Sequence, residues 1–136
     1  EGYEPNKKIV KRAKRIAENT GAELLQTNDP VEAVADANFI YTDAFVSMGE
    51  EHLETKLADF DGFQVNLKLL EHADQDWKFM HCLPAHRGEE VTDEVIDHEQ
   101  SIVFDQAENR MWAQMSILTY LLEKNSWDVY SDIMEV

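Results

Sequence analysis

Phe79-Met80-His81-Cys82-Leu83-Pro84-Ala85-His86-Arg87-Gly88-Glu89-Glu90 sets an apolar run directly against thiol, imidazole, guanidinium and carboxylate groups. The run from Trp77 to His81 is too short for two helical turns before Pro84, so it reads as a buried strand of a parallel sheet. Ligands of such sheets sit beyond the carboxyl ends of the strands, which is where Cys82 to Arg87 fall.

Upstream, Asn38 to Thr42 is a second apolar strand that empties into the polar loop Asp43-Ala44-Phe45-Val46-Ser47-Met48-Gly49. Ala22 to Gln26 and Ser101 to Phe104 read as further short strands. Between them lie helical patterns. Ile9, Ala13, Ile16 and Ala17 recur at helical spacing over Pro5 to Asn19, with Gly21 at the stop. Asp29-Pro30-Val31-Glu32 offers an N-cap, a first-turn proline and a capping-box glutamate for a helix to about Ala35. Further helices are expected over 50–60, 66–73 and 105–123. The last has apolar residues on more than one face and calls for several neighbours. This alternation predicts an α/β, three-layer, Rossmann-like domain with a mostly parallel sheet and a long C-terminal helix. The expected division is a domain over 1–125 and a tail over 126–136, whose Trp127, Val129, Tyr130 and Ile133 are apolar enough to dock on a neighbour.

Composition narrows the partners. The 136 residues suit one core, and 28 acidic against 12 basic side chains give a formal charge of -16, unsuited to a nucleic-acid backbone. Six of the basic residues fall between Lys7 and Arg15, leaving the remainder more acidic still. No stretch approaches the roughly 20 apolar residues of a membrane helix, and the first residues lack a signal-peptide core. A soluble, cytoplasmic protein is expected. Cys82 is the only cysteine, which excludes an internal disulfide.

Three clusters can carry chemistry, each with a plainer reading beside it. Cys82, flanked by His81, His86 and Arg87, is either an activated thiol or a small buried apolar side chain. Metal binding by His81, Cys82 and His86 is the weaker option, and no metal or cofactor is expected. Asp43 can meet an ammonium group and the Ser47-Met48-Gly49 turn a carboxylate, or both can simply cap local backbone donors. Arg110 can reach a carbonyl or phosphate, or pair with Glu108.

Tyr41 to Gly49 (Tyr-Thr-Asp-x-x-Val-Ser-Met-Gly), His81 to Arg87 (His-Cys-Leu-Pro-Ala-His-Arg) and Phe104 to Arg110 (Phe-Asp-x-Ala-Glu-Asn-Arg) together resemble the second half of the ornithine carbamoyltransferases. The resemblance implies carbamoyl transfer from carbamoyl phosphate to the side-chain amine of L-ornithine, giving citrulline and phosphate. It implies that Asp43 meets ornithine, that Ser47 and Met48 belong to a closing loop, that Cys82 and Leu83 sit beside the reacting amine, and that Arg110 polarises the carbamoyl carbonyl. The aspartate-using relatives are less similar, since they carry His-Pro-Leu-Pro where this chain has His81-Cys82-Leu83-Pro84. The phosphate-cradling Ser-Thr-Arg-Thr-Arg loop of the family is not in this sequence. Phe45 stands where tryptophan is usual and Trp112 where histidine is common. The resemblance therefore implies a fragment without the carbamoyl-phosphate domain, inactive alone, from an enzyme that is usually a homotrimer. The competing expectations are a non-catalytic amino-acid-binding or regulatory module and, more remotely, a hydrolase built on Cys82.

Overall fold

The computed structural model describes residues 2–46 and 54–123, with backbone alone at Glu54 and Thr55. The chain divides into two compact units, 1–33 and 34–136.

In the first unit, helix α1 spans Lys7–Thr20. Asn6 caps its start, the side chain accepting from the Lys8 N–H, while Gly21 closes the helix at φ 75° with its N–H on the Ala17 carbonyl. The expected strand at Ala22 to Gln26 is not formed: Leu24 and Leu25 are exposed, and no strand pairs with this segment among the described residues. A strand exists through its ladder, and five residues of suitable composition do not supply one. Helix α2, Pro30–Val34, starts as expected with Asp29 Oδ1 accepting from the Val31 N–H at 2.9 Å. Its capping box is relayed: the Asp29 N–H donates to Thr27 Oγ1 at 3.1 Å, and that hydroxyl donates to Glu32.

The second unit holds the sheet. Strands β1 (Phe39–Thr42) and β2 (Lys78–His81) pair in parallel, with Ile40 opposite Phe79 and Thr42 opposite His81. Among the described residues two strands stand where four were expected. The segment at Ser101 makes a single parallel bridge to Phe79, through Phe79 N–H to the Gln100 carbonyl and Ile102 N–H to the Phe79 carbonyl, at 3.2 and 2.9 Å. Helix α6, Val103–Glu123, begins at once and leaves no room for a second rung. The next donor along that edge, the His81 N–H, goes instead to Gln106 Oε1 at 3.0 Å. A helix side chain thus continues the ladder where the strand has stopped.

Helices α3 (Glu54–Asp59) and α4 (Leu67–Leu70) lie within the expected helical stretches, and Asn66 caps α4 by accepting from the Leu69 N–H at 2.9 Å. Helix α5, Asp93–Ile96, was not foreseen. The core gathers Val34, Ile40, Val65, Leu70, Trp77, Phe79, Val91, Val95, Ile96 and Val103 around β2. Among the described residues no helix is long and apolar enough to cross a membrane. The tail expected over 126–136 lies outside the described residues.

Candidate active site

In-register parallel pairing decides the site. Because Thr42 opposes His81, the next residues, Asp43 and Cys82, leave the two strands side by side at their carboxyl ends. The Cys82 thiol donates to Asp43 Oδ1 at 3.0 Å, and the same oxygen accepts the Ala44 N–H at 2.8 Å. These two donors, the thiol first, hold the Asp43 carboxyl below its ordinary range. The reciprocal effect pushes the thiol up: the Asp43 carboxylate beside it, then burial, disfavour the thiolate. The Tyr41 phenol, which faces both Cys82 and Gln106, is also pushed up, first by desolvation and then by Cys82. Cys82 is therefore a hydrogen-bond donor here. The activated-thiolate reading is not favoured by this arrangement, because the neighbour that dominates it is an anion.

Behind the thiol, β2 ends in a buried polar anchor. His81 is 1% exposed; its Nδ1 accepts the Leu83 N–H at 2.9 Å and its Nε2 faces Glu90 Oε1 at 3.3 Å. Leu83 occupies the left-handed region at φ 56° and precedes a cis peptide to Pro84. A branched residue there is strained by about 1–3 kcal/mol, and the Leu83 to His81 hydrogen bond helps hold it. Glu90, fully buried, accepts the His86 N–H through Oε1 at 2.6 Å. His81, Leu83 and Glu90 thereby fix the backbone that carries Cys82.

Arg87, grouped with Cys82 by sequence, is engaged elsewhere. It is bound to Asp97 by two hydrogen bonds at 2.7 and 2.8 Å and to Asp93 at 2.7 Å, which ties the loop after Pro84 to α5. The metal grouping suggested by His81, Cys82 and His86 is also redistributed: Asp43, His81 and Cys82 form one set of donor atoms, and His86 belongs to another with Glu89 and Glu90.

Arg110 is exposed on α6, four residues beyond Gln106 and so on nearly the same helix face as the side chain that meets His81. Ser47 and Met48 lie outside the described residues. Of the residues singled out by sequence, Asp43, Cys82 and Leu83 are brought together; Arg110 stands on the helix that adjoins them. Sequence reasoning passed over Gln106 and Tyr41. Tyr41 opens the motif Tyr41 to Gly49 but was given no role there, and Gln106 stands at the unspecified position of the motif Phe104 to Arg110, one turn before Arg110.

Paired strands thus present an aspartate and a thiol at their joined carboxyl ends, with a long helix bearing an arginine beside β2, in an α/β domain. The chain belongs to the aspartate/ornithine carbamoyltransferase family: residues 1–121 match the model of that family's Asp/Orn binding domain. Ornithine carbamoyltransferases of Bacillus thuringiensis and Pyrococcus horikoshii are each 54% identical to it, over 122 and 123 residues. Each alignment takes in 90% of this chain and 39% of the relative. Among solved structures, the Pyrococcus furiosus ornithine carbamoyltransferase superposes with a TM-score of 0.80 at 53% identity, over 86% of this chain and 38% of that one. The anabolic enzyme of Campylobacter jejuni gives 0.83 at 33% identity, over 92% and 42%. The chain thus spans about two fifths of the length of these relatives.

Proposed function

We propose that this chain is the amino-acid-binding half of an ornithine carbamoyltransferase, transferring a carbamoyl group from carbamoyl phosphate to the side-chain amine of L-ornithine. The observation that carries the reading is the Cys82 to Asp43 hydrogen bond at 3.0 Å, at the joint end of two parallel strands. An ionised carboxylate there suits an ammonium group of the substrate. A neutral thiol beside it offers a small, polarisable contact that orients an amine without itself carrying charge.

In the proposed reaction the neutral amine attacks the carbamoyl carbon, a tetrahedral centre forms, phosphate departs with the bonding pair, and the amine proton passes to solvent or phosphate. Arg110 stabilises the oxygen that gains charge. Leu83 lines the amine's path, and Ser47 with Met48 closes over the amino acid. Catalytic roles fall to Cys82 and Arg110; binding adds Asp43, Ser47, Met48 and Leu83. No resident cofactor takes part. In this reading residues 1–125 form part of a three-layer Rossmann-like domain, 126–136 is its tail, and the carbamoyl-phosphate domain and a trimeric cytoplasmic assembly complete the enzyme. Identities to ornithine enzymes run from 29% to 54%, against 25% to an N-acetyl-L-ornithine transcarbamylase, and the upper end of that range supports the unmodified amino acid.

The test is complementation. Mixed or co-expressed with the remaining segment of a close relative, the chain should form citrulline, and alone it should not. In the complemented enzyme, Arg110→Ala should lower kcat by about 10²–10³-fold, the cost of one lost oxyanion donor. A near-normal rate would remove Arg110 from the chemistry. The alternative, a non-catalytic amino-acid-binding module, predicts ornithine binding by calorimetry with no citrulline under any complementation.

A further inference from the structure

The loop that follows the active-site strand carries a second cluster, which the proposed reaction does not use. We propose that His86, Glu89 and Glu90 bind one divalent first-row transition-metal ion of the zinc type. The donor atoms of the three side chains lie within 4.8 Å of one another. Tetrahedral ligands about 2.0–2.2 Å from a zinc ion are roughly 3.3–3.6 Å apart, so a rotamer adjustment of His86 and Glu89 closes the site. One imidazole and two carboxylates suit a borderline divalent ion and leave coordination positions for water.

The independent sign is Glu90. Its side chain is fully buried, Oε1 is taken up by the His86 N–H and faces His81 Nε2, and Oε2 has no hydrogen-bond partner. That oxygen is aimed at His86 Nδ1, 3.7 Å away. A buried carboxylate oxygen left without a partner costs free energy that a cation recovers. The imidazole opposite it is 48% exposed, so an ion can enter from water without opening the core.

The backbone beneath the ligands is already fixed. Gln64 Nε2 donates to the Gly88 and Glu89 carbonyls at 2.8 and 2.9 Å. The Gly88 N–H meets the Val91 carbonyl at 2.8 Å, and the Glu89 N–H meets the His86 carbonyl at 3.0 Å. An ion seated there clips the 86–90 turn to Glu90 and, through the carboxylate's other oxygen, to His81 and the end of β2.

Calorimetric titration of the 136-residue chain with ZnCl2 tests the site, in a Cys82→Ser background so that the neighbouring Asp43, His81 and Cys82 donors offer no thiolate. One equivalent should bind and raise Tm. In that background His86→Ala and Glu89→Gln, both at solvent-accessible positions, should each weaken binding at least as much as the roughly 10–100-fold that a lost outer partner costs. Zinc binding that is absent in Cys82→Ser, or that both variants leave unchanged while their circular dichroism stays native, would overturn the proposal.

Discussion

At the residue scale, the Asp43 to Cys82 contact makes the site pH-sensitive with a defined sign. Asp43 is held below its ordinary 3.8, so its share of the stabilisation is present above that value and is lost as pH falls through the folded value. Cys82 is raised above its ordinary 9.0, so its share is present below 9.0 and is lost as pH rises through the folded value. The pair is therefore intact across the neutral range. Because Cys82 is the only cysteine, alkylation by iodoacetamide reports on it alone: Asp43→Asn should speed the reaction near pH 8 by releasing the thiol. An unchanged or slower rate would mean that the carboxylate does not hold the thiol proton. Glu90 answers a different question. Glu90→Ala strips the acceptor from the His86 N–H and removes the carboxylate that faces His81, and should lower unfolding free energy by about 1–3 kcal/mol in urea titration. Nothing in Gly88-Glu89-Glu90-Val91 announces that one glutamate is exposed to some degree and the next is sealed in the core. Burial of a side chain is set by neighbours far from it in the chain, and here the end of β2 supplies His81 opposite Glu90.

At the element scale, legibility followed how far each element depends on itself. Helix α1 carries its own cap at Asn6 and its own stop at Gly21, and its limits were readable to within a residue or two. Strands β1 and β2 were readable because both are short apolar runs followed by polar loops, and they pair with each other. The segments at 22–26 and 101–104 share that composition but fail as strands, one for want of a partner and one because α6 starts at Val103. Short α5 was hidden because Thr92-Asp93-Glu94 reads equally well as a polar loop, and Thr92 makes no side-chain cap. The weight borne by β2 is testable. Phe79 is fully buried and its backbone joins both β1 and the Ser101 segment, so Phe79→Ala should cost about 3–5 kcal/mol in the same urea titration. A loss under 1 kcal/mol would show that the core does not centre on this strand.

At the scale of the whole molecule, the unsatisfied surface lies on α6. Met111, Met115, Leu118 and Leu122 follow one another at helical spacing and are 51%, 51%, 59% and 86% exposed, while Trp112, Ile117 and Leu121 are exposed beside them. A helix of 21 residues is about 31 Å long by its 1.5 Å rise, and a contiguous apolar stripe along it is the kind of surface that marks an association site. Charge works against association: at -16 the chain repels its copies, and salt screens that repulsion. An apolar contact and a contact between charged surfaces predict opposite salt responses. If the apolar stripe drives self-association, sedimentation velocity should show larger species as chain concentration rises, and added salt should favour them. Leu118→Lys combined with Leu122→Lys should return the chain toward a monomer while its helical circular dichroism persists. Salt that dissolves the oligomer, or a double variant that associates as strongly as the parent, would place the contact on charged surface instead. Under the proposed function, complementation supplies the converse measurement: self-association should fall in step with the appearance of citrulline synthesis if the added segment covers α6.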